Sequence, residues 1–188
     1  VYPNGGLRRL TQVPLEYEEN YLLSAVMDPA GQYAYVGVQG SPGRVVKIDL
    51  ATASRVGAVD LTSLETDPAC AVIGPGGGYA YFGDYSDPGT DAGRVAKFNL
   101  TNFTYVSGLT LPAWENGLNT AVMDPPGQYA YFAAEGAPGT PGRIVKINMA
   151  SFTREGVLVL DYGDSQLYSS VMDPAGNYAY FGDYGVIS

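Results

Sequence analysis

The sequence Met27-Asp-Pro-Ala-Gly-Gln-Tyr-Ala-Tyr-Val36, followed after a short gap by Gly43-Arg-Val-Val-Lys-Ile-Asp49, decides the fold. Both segments return around Gly77 and Gly127, and the first returns a fourth time around Gly176. The four landmark glycines, Gly31, Gly77, Gly127 and Gly176, lie 46, 50 and 49 residues apart. A repeat of this length, built from short β-rich segments, predicts a propeller blade or a solenoid rung.

The repeat varies in length at one place. Gly43, Gly93 and Gly142 are each followed after 34 residues by the next landmark glycine. All variation therefore falls in residues 38–42, 84–92 and 134–141. Constant spacing indicates packed structure, whereas variable spacing indicates surface loops in which insertions cost little.

Each repeat predicts four short strands and no helix. In the first unit the strands are expected at 24–28, 33–36, 44–50 and 54–61, with Asp28-Pro-Ala-Gly31 forming the first turn. Alternation along Tyr33-Ala-Tyr-Val36 places the two tyrosines on one face, where they would pack against the next sheet. We therefore predict an all-β propeller of four-stranded antiparallel blades.

The whole chain, 1–188, is predicted to be one propeller domain with four repeat units. Residues 7–15 match the fourth strands of the other units, while the last unit breaks off within its third strand. We expect the N-terminal strand to join the C-terminal blade and close the ring. Four blades in one chain are preferred, and eight blades from two chains or an excerpt of a longer ring also fit. The unit boundaries are approximately 22–61, 68–111, 118–160, and 168–188 completed by 1–15.

Composition excludes several classes of function. A net charge of −9 argues against binding a nucleic-acid backbone, which needs clustered Lys and Arg. No apolar run is long enough for a membrane span. The chain has no histidine, which removes the usual general base and the Ser-His-Asp arrangement. Its single cysteine, Cys70, lies between two alanines and is interpreted as a core residue.

The repeat resembles the YVTN family of β-propeller repeats, whose blades carry Pro-x-Gly-x-Tyr-x-Tyr-Val followed by Val-x-Val-Ile-Asp. The matching residues here are Pro29, Gly31, Tyr33, Tyr35, Val36, Val46, Ile48 and Asp49. Relatives in that family include surface-layer proteins and lactonase-like propellers. The resemblance implies a secreted or cell-surface propeller and carries over no catalytic residue.

Basic and aromatic residues provide the candidate ligand-binding site. Arg44, Arg94 and Arg143 recur at the start of the third strand and could together bind an anion. Lys47, Lys97 and Lys146 recur in the same strand, where pairing with acidic residues of adjacent blades is the simpler interpretation of both sets. Trp114, Tyr85 and Tyr184 are candidates for contacts with a protein or carbohydrate partner.

Acidic residues provide the candidate metal site. Asp84, Asp87 and Asp91 lie in the longest hairpin and could bind Ca²⁺ through oxygen ligands, although their spacing is not that of an EF-hand. No other cofactor is expected. Asp28, Asp124 and Asp173 recur in the first turn, where a turn-capping role is favoured over a metal site. Asn99 and Asn102 begin N-glycosylation patterns.

These observations favour a non-enzymatic propeller that binds a partner or serves as a scaffold at a cell surface or in an extracellular assembly. The alternative is a lactonase-like hydrolase with a metal ion or carboxylates in the central channel. The two differ in whether acidic side chains converge at the axis of the ring.

Overall fold

The computed structural model describes residues 11–85, 92–135 and 140–184. Within these ranges the chain forms fourteen β-strands and no helix. The strands are β1 (Leu22–Met27), β2 (Tyr33–Val38), β3 (Arg44–Asp49), β4 (Ser54–Asp60), β5 (Pro68–Ile73), β6 (Tyr79–Asp84), β7 (Arg94–Asn99), β8 (Thr104–Thr110), β9 (Leu118–Met123), β10 (Tyr129–Ala134), β11 (Arg143–Asn148), β12 (Thr153–Val159), β13 (Leu167–Met172) and β14 (Ala179–Asp183).

The strands form consecutive antiparallel meanders. Blade I contains β1 to β4, blade II β5 to β8, and blade III β9 to β12, each with its strands in chain order. In the described residues blade IV is a two-stranded sheet of β13 and β14. The prediction of an all-β fold built from four-stranded meanders is therefore confirmed for three repeat units, and half a sheet is described for the fourth.

The turn between the first two strands forms as its sequence predicts. The Asp28 carboxylate accepts the backbone N–H groups of Gln32 at 2.7 Å and Tyr33 at 3.2 Å, while Gly31 adopts a φ of +67°. Asp124 accepts the N–H of Tyr129 and Asp173 that of Tyr178, both of which correspond to Tyr33. Because the turn already uses these carboxylates, the turn-capping interpretation is confirmed for all three.

The apolar core lies between the blades. One cluster joins Tyr35, Val45 and Leu61 of blade I to Phe82 and Phe98 of blade II. A second cluster joins blades II and III, and a third joins blade III to Leu167 of blade IV. No single sheet has a core of its own in the described part of the chain, so each blade is stabilised by burying its flank against its neighbour.

The two tyrosines of each repeat share a face but differ in burial. Tyr35 and Tyr81 are buried between blades, as predicted. In blades I to III the preceding tyrosine lies under the recurring lysine instead: the Nζ atom of Lys47 is 3.9 Å from the ring centre of Tyr33, and that of Lys146 is 3.7 Å from that of Tyr129. Among the described residues, no acidic group of an adjacent blade pairs with these lysines. They make cation–π contacts instead, and Lys146 also pairs with Glu155 of its own blade at 3.5 Å.

At Lys47 and Lys97 an aromatic residue from the next blade joins the contact, with ring centres 5.7 and 5.4 Å from the lysine Nζ atoms. Phe103, in the turn before β8, lies 5.8 Å from the ring of Tyr35, and Phe152 lies 5.6 Å from Tyr81. Both phenylalanines have a φ of +51°, an uncommon backbone conformation for a bulky residue, which turns the side chain towards the preceding blade. Ala53 has the equivalent place in blade I.

The described blades form an arc. The first strands of successive blades are neighbours, with β1 next to β5, β5 next to β9 and β9 next to β13. No comparable packing joins β13 back to β1 in the described residues. Residues 11–15 are not in a strand, and the rest of the predicted closing segment, 1–10 and 185–188, lies outside the described residues. The expected four-bladed ring is therefore not seen.

Replacing Phe98 with Ala tests whether the junction between blades I and II stabilises the whole domain. Phe98 is fully buried, and its ring contacts those of Phe82 and Tyr105 edge-on. We expect Phe98→Ala to lower the free energy of unfolding by about 3–5 kcal/mol in urea titrations. Val106→Ala, at an exposed position of the outer strand, is the control and should cost less than about 1 kcal/mol.

Cys70 provides a second test of the core. The thiol is buried, and this burial raises its pKa to about 12. Because the thiolate is the reactive form, we expect a maleimide reagent at pH 7 to label the native protein far more slowly than protein unfolded in urea. Equal labelling rates in the two states would contradict the burial of Cys70 at the junction of blades II and III.

Candidate functional site

The residue that follows the second strand has an equivalent position in each blade. The backbone N–H of Glu135 donates to the Gly117 carbonyl at 3.1 Å, that of Tyr85 to Asp67 at 2.7 Å, and that of Tyr184 to Gln166 at 3.1 Å. These bonds tie the start of each variable hairpin to the loop that leads into the first strand. Side chains from successive blades are thereby brought together where the variable hairpins begin.

The Glu135 carboxylate is the centre of a polar cluster drawn from three blades. Its Oε2 atom accepts the hydroxyl of Tyr85 of blade II at 3.2 Å and the amide of Asn119 of blade III at 3.3 Å. Its Oε1 atom accepts the amide of Gln166, in the loop before β13, at 3.4 Å. We call these four residues the Glu135 cluster.

Two exposed tyrosines lie next to the Glu135 cluster. Tyr168, on β13, is 54% exposed, and Tyr184, at the end of β14, is 76% exposed. The pKa of the Tyr168 phenol is raised, first by its partial burial and then by the negative charge of Glu135. The cluster therefore has an accessible aromatic border on the side of blade IV.

The chemistry of the Glu135 cluster is that of a positioned anion. Three neutral donors fix the carboxylate, and in the described part of the chain no Lys or Arg pairs with it. Neutral hydrogen bonds orient a carboxylate without cancelling its charge. Such a group can receive a cation or several hydroxyl donors, and the tyrosine faces beside it can stack against either ligand.

Of the sequence candidates, the structure places Tyr85 and Tyr184 at this site and the others elsewhere. Trp114 is half-exposed in the loop between β8 and β9, with a φ of +73°. Arg44 binds Asp60 at 2.8 Å, Arg94 donates to the Thr110 hydroxyl at 2.8 Å, and Arg143 donates to the Pro141 carbonyl at 3.1 Å. Each of the three arginines is thus bound to a partner in its own blade. An anion-binding site formed by all three together stays a prediction.

The predicted Ca²⁺ site is only partly within the described residues. Asp84 is buried, and its carboxylate accepts the backbone N–H of Asp67 at 2.6 Å. Asp87 and Asp91 lie outside the described residues. Among the residues that are described, no group of three or more Cys, Asp or Glu side chains is arranged to hold a metal ion.

Sequence reasoning missed a set of buried glutamates. Glu19, Glu65 and Glu115 stand at the same place in the loop before each blade, and all three are buried. Glu19 accepts two hydrogen bonds from Arg55, at 2.6 and 2.7 Å, and Glu115 is bound in the same way by Arg154. Their constant position, 12 residues before the landmark glycine, was the available signal.

Glu65, the second of these glutamates, is hydrogen-bonded to hydroxyl groups, and its nearest arginine is farther away. Glu65 accepts the Thr62 hydroxyl at 2.8 Å and the Tyr105 hydroxyl at 3.2 Å, with the Nε atom of Arg94 at 3.8 Å. Burial, and then the charge of Glu65, raise the pKa of Tyr105 to about 12. Each glutamate fastens the loop before a blade to the outer strands of that blade, and the Glu115 loop leads directly into the strand that carries Asn119.

Replacement of Glu19 with Gln tests the contribution of these glutamates and its dependence on pH. The Arg55 guanidinium holds the pKa of Glu19 below its ordinary value of 4.5, with burial opposing. A lowered folded-state pKa means that the ionised carboxylate stabilises the fold above pH 4.5 and that this stabilisation is lost as the pH falls through the folded-state pKa.

At pH 7 we expect Glu19→Gln to lower the free energy of unfolding by about 1–3 kcal/mol, since Arg55 loses a charged, buried partner. The difference from the unmutated protein should shrink below pH 4.5, as measured by urea titrations from pH 7 to pH 3. Glu18→Gln, at an exposed position in the same loop, is the matched control. A difference that does not vary with pH would contradict the assigned ion pair.

Comparison with solved structures shows the same architecture. The chain is similar to Kuenenia stuttgartiensis hydrazine synthase, with a TM-score of 0.73 and 18% identity over 84% of this chain and 42% of that one. It is also similar to the WD40 repeats of RRP9 and to U3-55K, each with a TM-score of 0.63 and 10% identity over 79% of this chain. The matched region is 41% of the RRP9 chain and 42% of U3-55K, so this chain spans about two fifths of the length of these structures.

No family model matches the sequence, and no curated protein sequence does either. The similar solved structures support the propeller that the YVTN resemblance implies. Membership of the YVTN family itself stays a prediction, because no family model matches. Within the described ranges the protein has no helix long and apolar enough to cross a membrane. At this level of identity the similarities establish the fold, which is that of a β-propeller repeat protein.

Proposed function

We propose that this protein is a propeller binding module that uses the Glu135 cluster to hold a basic side chain of a protein partner. One observation carries the proposal: neutral donors from three blades fix the Glu135 carboxylate beside exposed tyrosines, and no described Lys or Arg pairs with it. A carboxylate positioned in this way favours a cationic group from a partner.

The chemistry of the surroundings supports a basic partner over a neutral one. A net charge of −9 attracts basic molecules over distances of about 8–10 Å in physiological salt. Tyr168 and Tyr184 offer ring faces to which a Lys or Arg side chain binds through cation–π contacts. A carbohydrate, which would use the same tyrosines and the amides of Asn119 and Gln166, is the competing ligand class.

The architecture also supports a binding role, because the packed blades can present their variable hairpins to a partner. Blades joined by buried clusters give a rigid base. The hairpins that begin beside the Glu135 cluster are the segments whose length varies between repeats. The similarity to WD40 repeats is consistent with a scaffold that binds proteins. Location at a cell surface or in an extracellular assembly remains part of this proposal, and it rests on the YVTN resemblance.

Peptide binding tests the proposed function. The probe is a fluorescein-labelled peptide of alternating Lys and Gly, compared with the same peptide acetylated on every lysine and with a neutral oligosaccharide. We expect the basic peptide to bind in fluorescence anisotropy and Glu135→Gln to weaken binding roughly tenfold or more, as for loss of one charge-assisted hydrogen bond.

The control for this experiment is Glu18→Gln, which changes the net charge equally at an exposed position outside the Glu135 cluster. It should leave the affinity unchanged, whereas Tyr168→Ala should reduce it. Equal affinities for the basic and acetylated peptides, or equal losses in the Glu135 and Glu18 variants, would overturn the proposal. Binding of the oligosaccharide alone would identify a carbohydrate site instead.

A further inference from the structure

The first turn of blade II lacks the carboxylate that the other blades have there. Asp28, Asp124 and Asp173 begin this turn in blades I, III and IV, whereas Gly74 begins it in blade II. The backbone of the turn keeps the same form, because the N–H of Gly77 donates to the Gly74 carbonyl at 2.8 Å and the same bond closes the other three turns at 2.9 Å. The turn of blade II therefore forms without an aspartate.

The absence of an aspartate leaves two backbone donors of blade II without the acceptor that their equivalents have. In blade I, Oδ1 of Asp28 accepts the N–H of Gln32 at 2.7 Å and Oδ2 accepts that of Tyr33 at 3.2 Å. The equivalent N–H groups in blade II belong to Gly78 and Tyr79. In the described part of the chain, neither donates to a side chain or to a carbonyl of the turn. Successive N–H groups in a turn form a binding site for anionic oxygens.

A recess of about 620 Å³ lies beside these two donors, between blades II and III. Three glycines of the turn, Gly74, Gly76 and Gly78, form one of its walls, whereas blades I, III and IV carry a side chain at each of these positions. A Cβ atom at Gly76 or Gly78 would meet nothing within 4 Å, so both positions face open space. The volume is within the range of small-molecule sites.

The other walls of the recess offer ring surface and an amide donor. Tyr79, which is 40% exposed, and Tyr129 line the recess together with Asn148. The Oδ1 atom of Asn148 accepts the backbone N–H groups of Ala150 and Ser151 at 3.1 and 3.2 Å, which fixes the side chain. Because its oxygen is engaged by the backbone, the NH₂ group of Asn148 is left to donate to a ligand.

The charge beside the two donors favours an anion. The Nζ atom of Lys97 lies 4.4 Å from the ring centre of Tyr79, and no described carboxylate forms an ion pair with it. The equivalent lysine of blade III, Lys146, pairs with Glu155, whereas blade II has Val106 in place of that glutamate. None of the residues that line the recess is acidic. The recess therefore has a nearby positive charge in a protein whose net charge is −9.

We infer that the recess binds a small organic carboxylate, whose two oxygens accept the N–H groups of Gly78 and Tyr79. The rest of the ligand lies against the rings of Tyr79 and Tyr129, within reach of the Asn148 amide. A planar carboxylate fits better than a phosphate, because in blade I the equivalent donors bind the planar carboxylate of Asp28 with one oxygen each.

This recess is separate from the Glu135 cluster. Tyr79 begins β6, and Tyr85 of the Glu135 cluster follows the end of the same strand. A strand of this length spans about 20 Å, so the two sites lie at opposite ends of blade II. The inference therefore goes beyond the proposed function and does not depend on it.

Amide NMR spectra of the ¹⁵N-labelled full chain test the inference. The probe is sodium benzoate, compared at constant ionic strength with sodium glucuronate, sodium phosphate and sodium chloride. We expect benzoate to move the amide resonances of Gly78 and Tyr79 to a saturating value, because hydrogen bonds form at these two protons. The resonances of Gln32 and Tyr33 should not move, since Asp28 already accepts their protons.

Gly74→Asp supplies from within the chain the carboxylate that the ligand would bring. Apart from its chain neighbours, a Cβ atom at this position would meet only the carbonyl oxygen of Tyr79, at 3.5 Å, so the variant should fold. We expect it to shift the Gly78 amide resonance before any ligand is added and to weaken benzoate binding roughly tenfold or more.

Two further variants are the controls for this experiment. Gly74→Ala adds a side chain without an acceptor and should weaken benzoate binding far less than Gly74→Asp does. Val56→Asp adds the same charge at an exposed position of β4 and should leave benzoate binding unchanged.

Benzoate binding that survives Gly74→Asp, or equal shifts with benzoate and chloride, would overturn the inference. Saturation by phosphate and not by either carboxylate would do so too. The tighter of benzoate and glucuronate shows whether the ligand carries an apolar ring or a sugar ring. Binding of the Lys-Gly peptide should be unchanged in Gly74→Asp, so failure of this site is distinguishable from failure of the proposed function.

Discussion

Burial of the flank of one blade against the next is the constraint on which the rest of the structure depends. Each apolar cluster takes its members from two sheets, as when Tyr35 and Val45 of blade I meet Phe82 and Phe98 of blade II. A four-stranded sheet of this size has two apolar faces and cannot cover either by itself. The repeat is therefore stable only as a stack, and the stack places equivalent residues of successive blades side by side.

Polar contacts reinforce this stack without replacing it. The recurring lysines lie over the first tyrosine of the pair in their own blade, and Phe103 and Phe152 reach back from the following blade to the second tyrosine of that pair. The buried glutamates fasten each connecting loop to an arginine or tyrosine of the outer strands. A buried carboxylate needs such partners because desolvation without them is costly.

The candidate site is a consequence of stacking. Tyr85, Asn119, Glu135 and Gln166 come from three blades, and no two of them are neighbours in sequence. They meet because the end of each second strand is tied to the loop before the first strand in every blade. The repeat thus fixes where the residue after each second strand lies, while the type of side chain at that position differs from blade to blade.

The sequence alone determined the elements of this protein. The landmark glycines, the Asp-Pro-x-Gly turns and the alternating Tyr-Ala-Tyr segments depend on local backbone geometry and on a period of two, so the strands and their meander order could be predicted. Tyr85 and Tyr184 were identified as surface aromatics, but Glu135 was not, because nothing local distinguishes it from other loop acids. The buried glutamates were missed for the same reason, despite their constant spacing.

Only the tertiary structure decided how the blades are arranged and what meets between them. Whether an arc closes on itself depends on the rotation from one blade to the next, which is set by side-chain packing across the junctions and leaves no mark in the repeat length. The contacts of the lysines also depended on packing, since the Nζ atom of Lys47 lies 3.9 Å from the ring centre of Tyr33 in its own sheet. Contacts between residues far apart in sequence decided both outcomes.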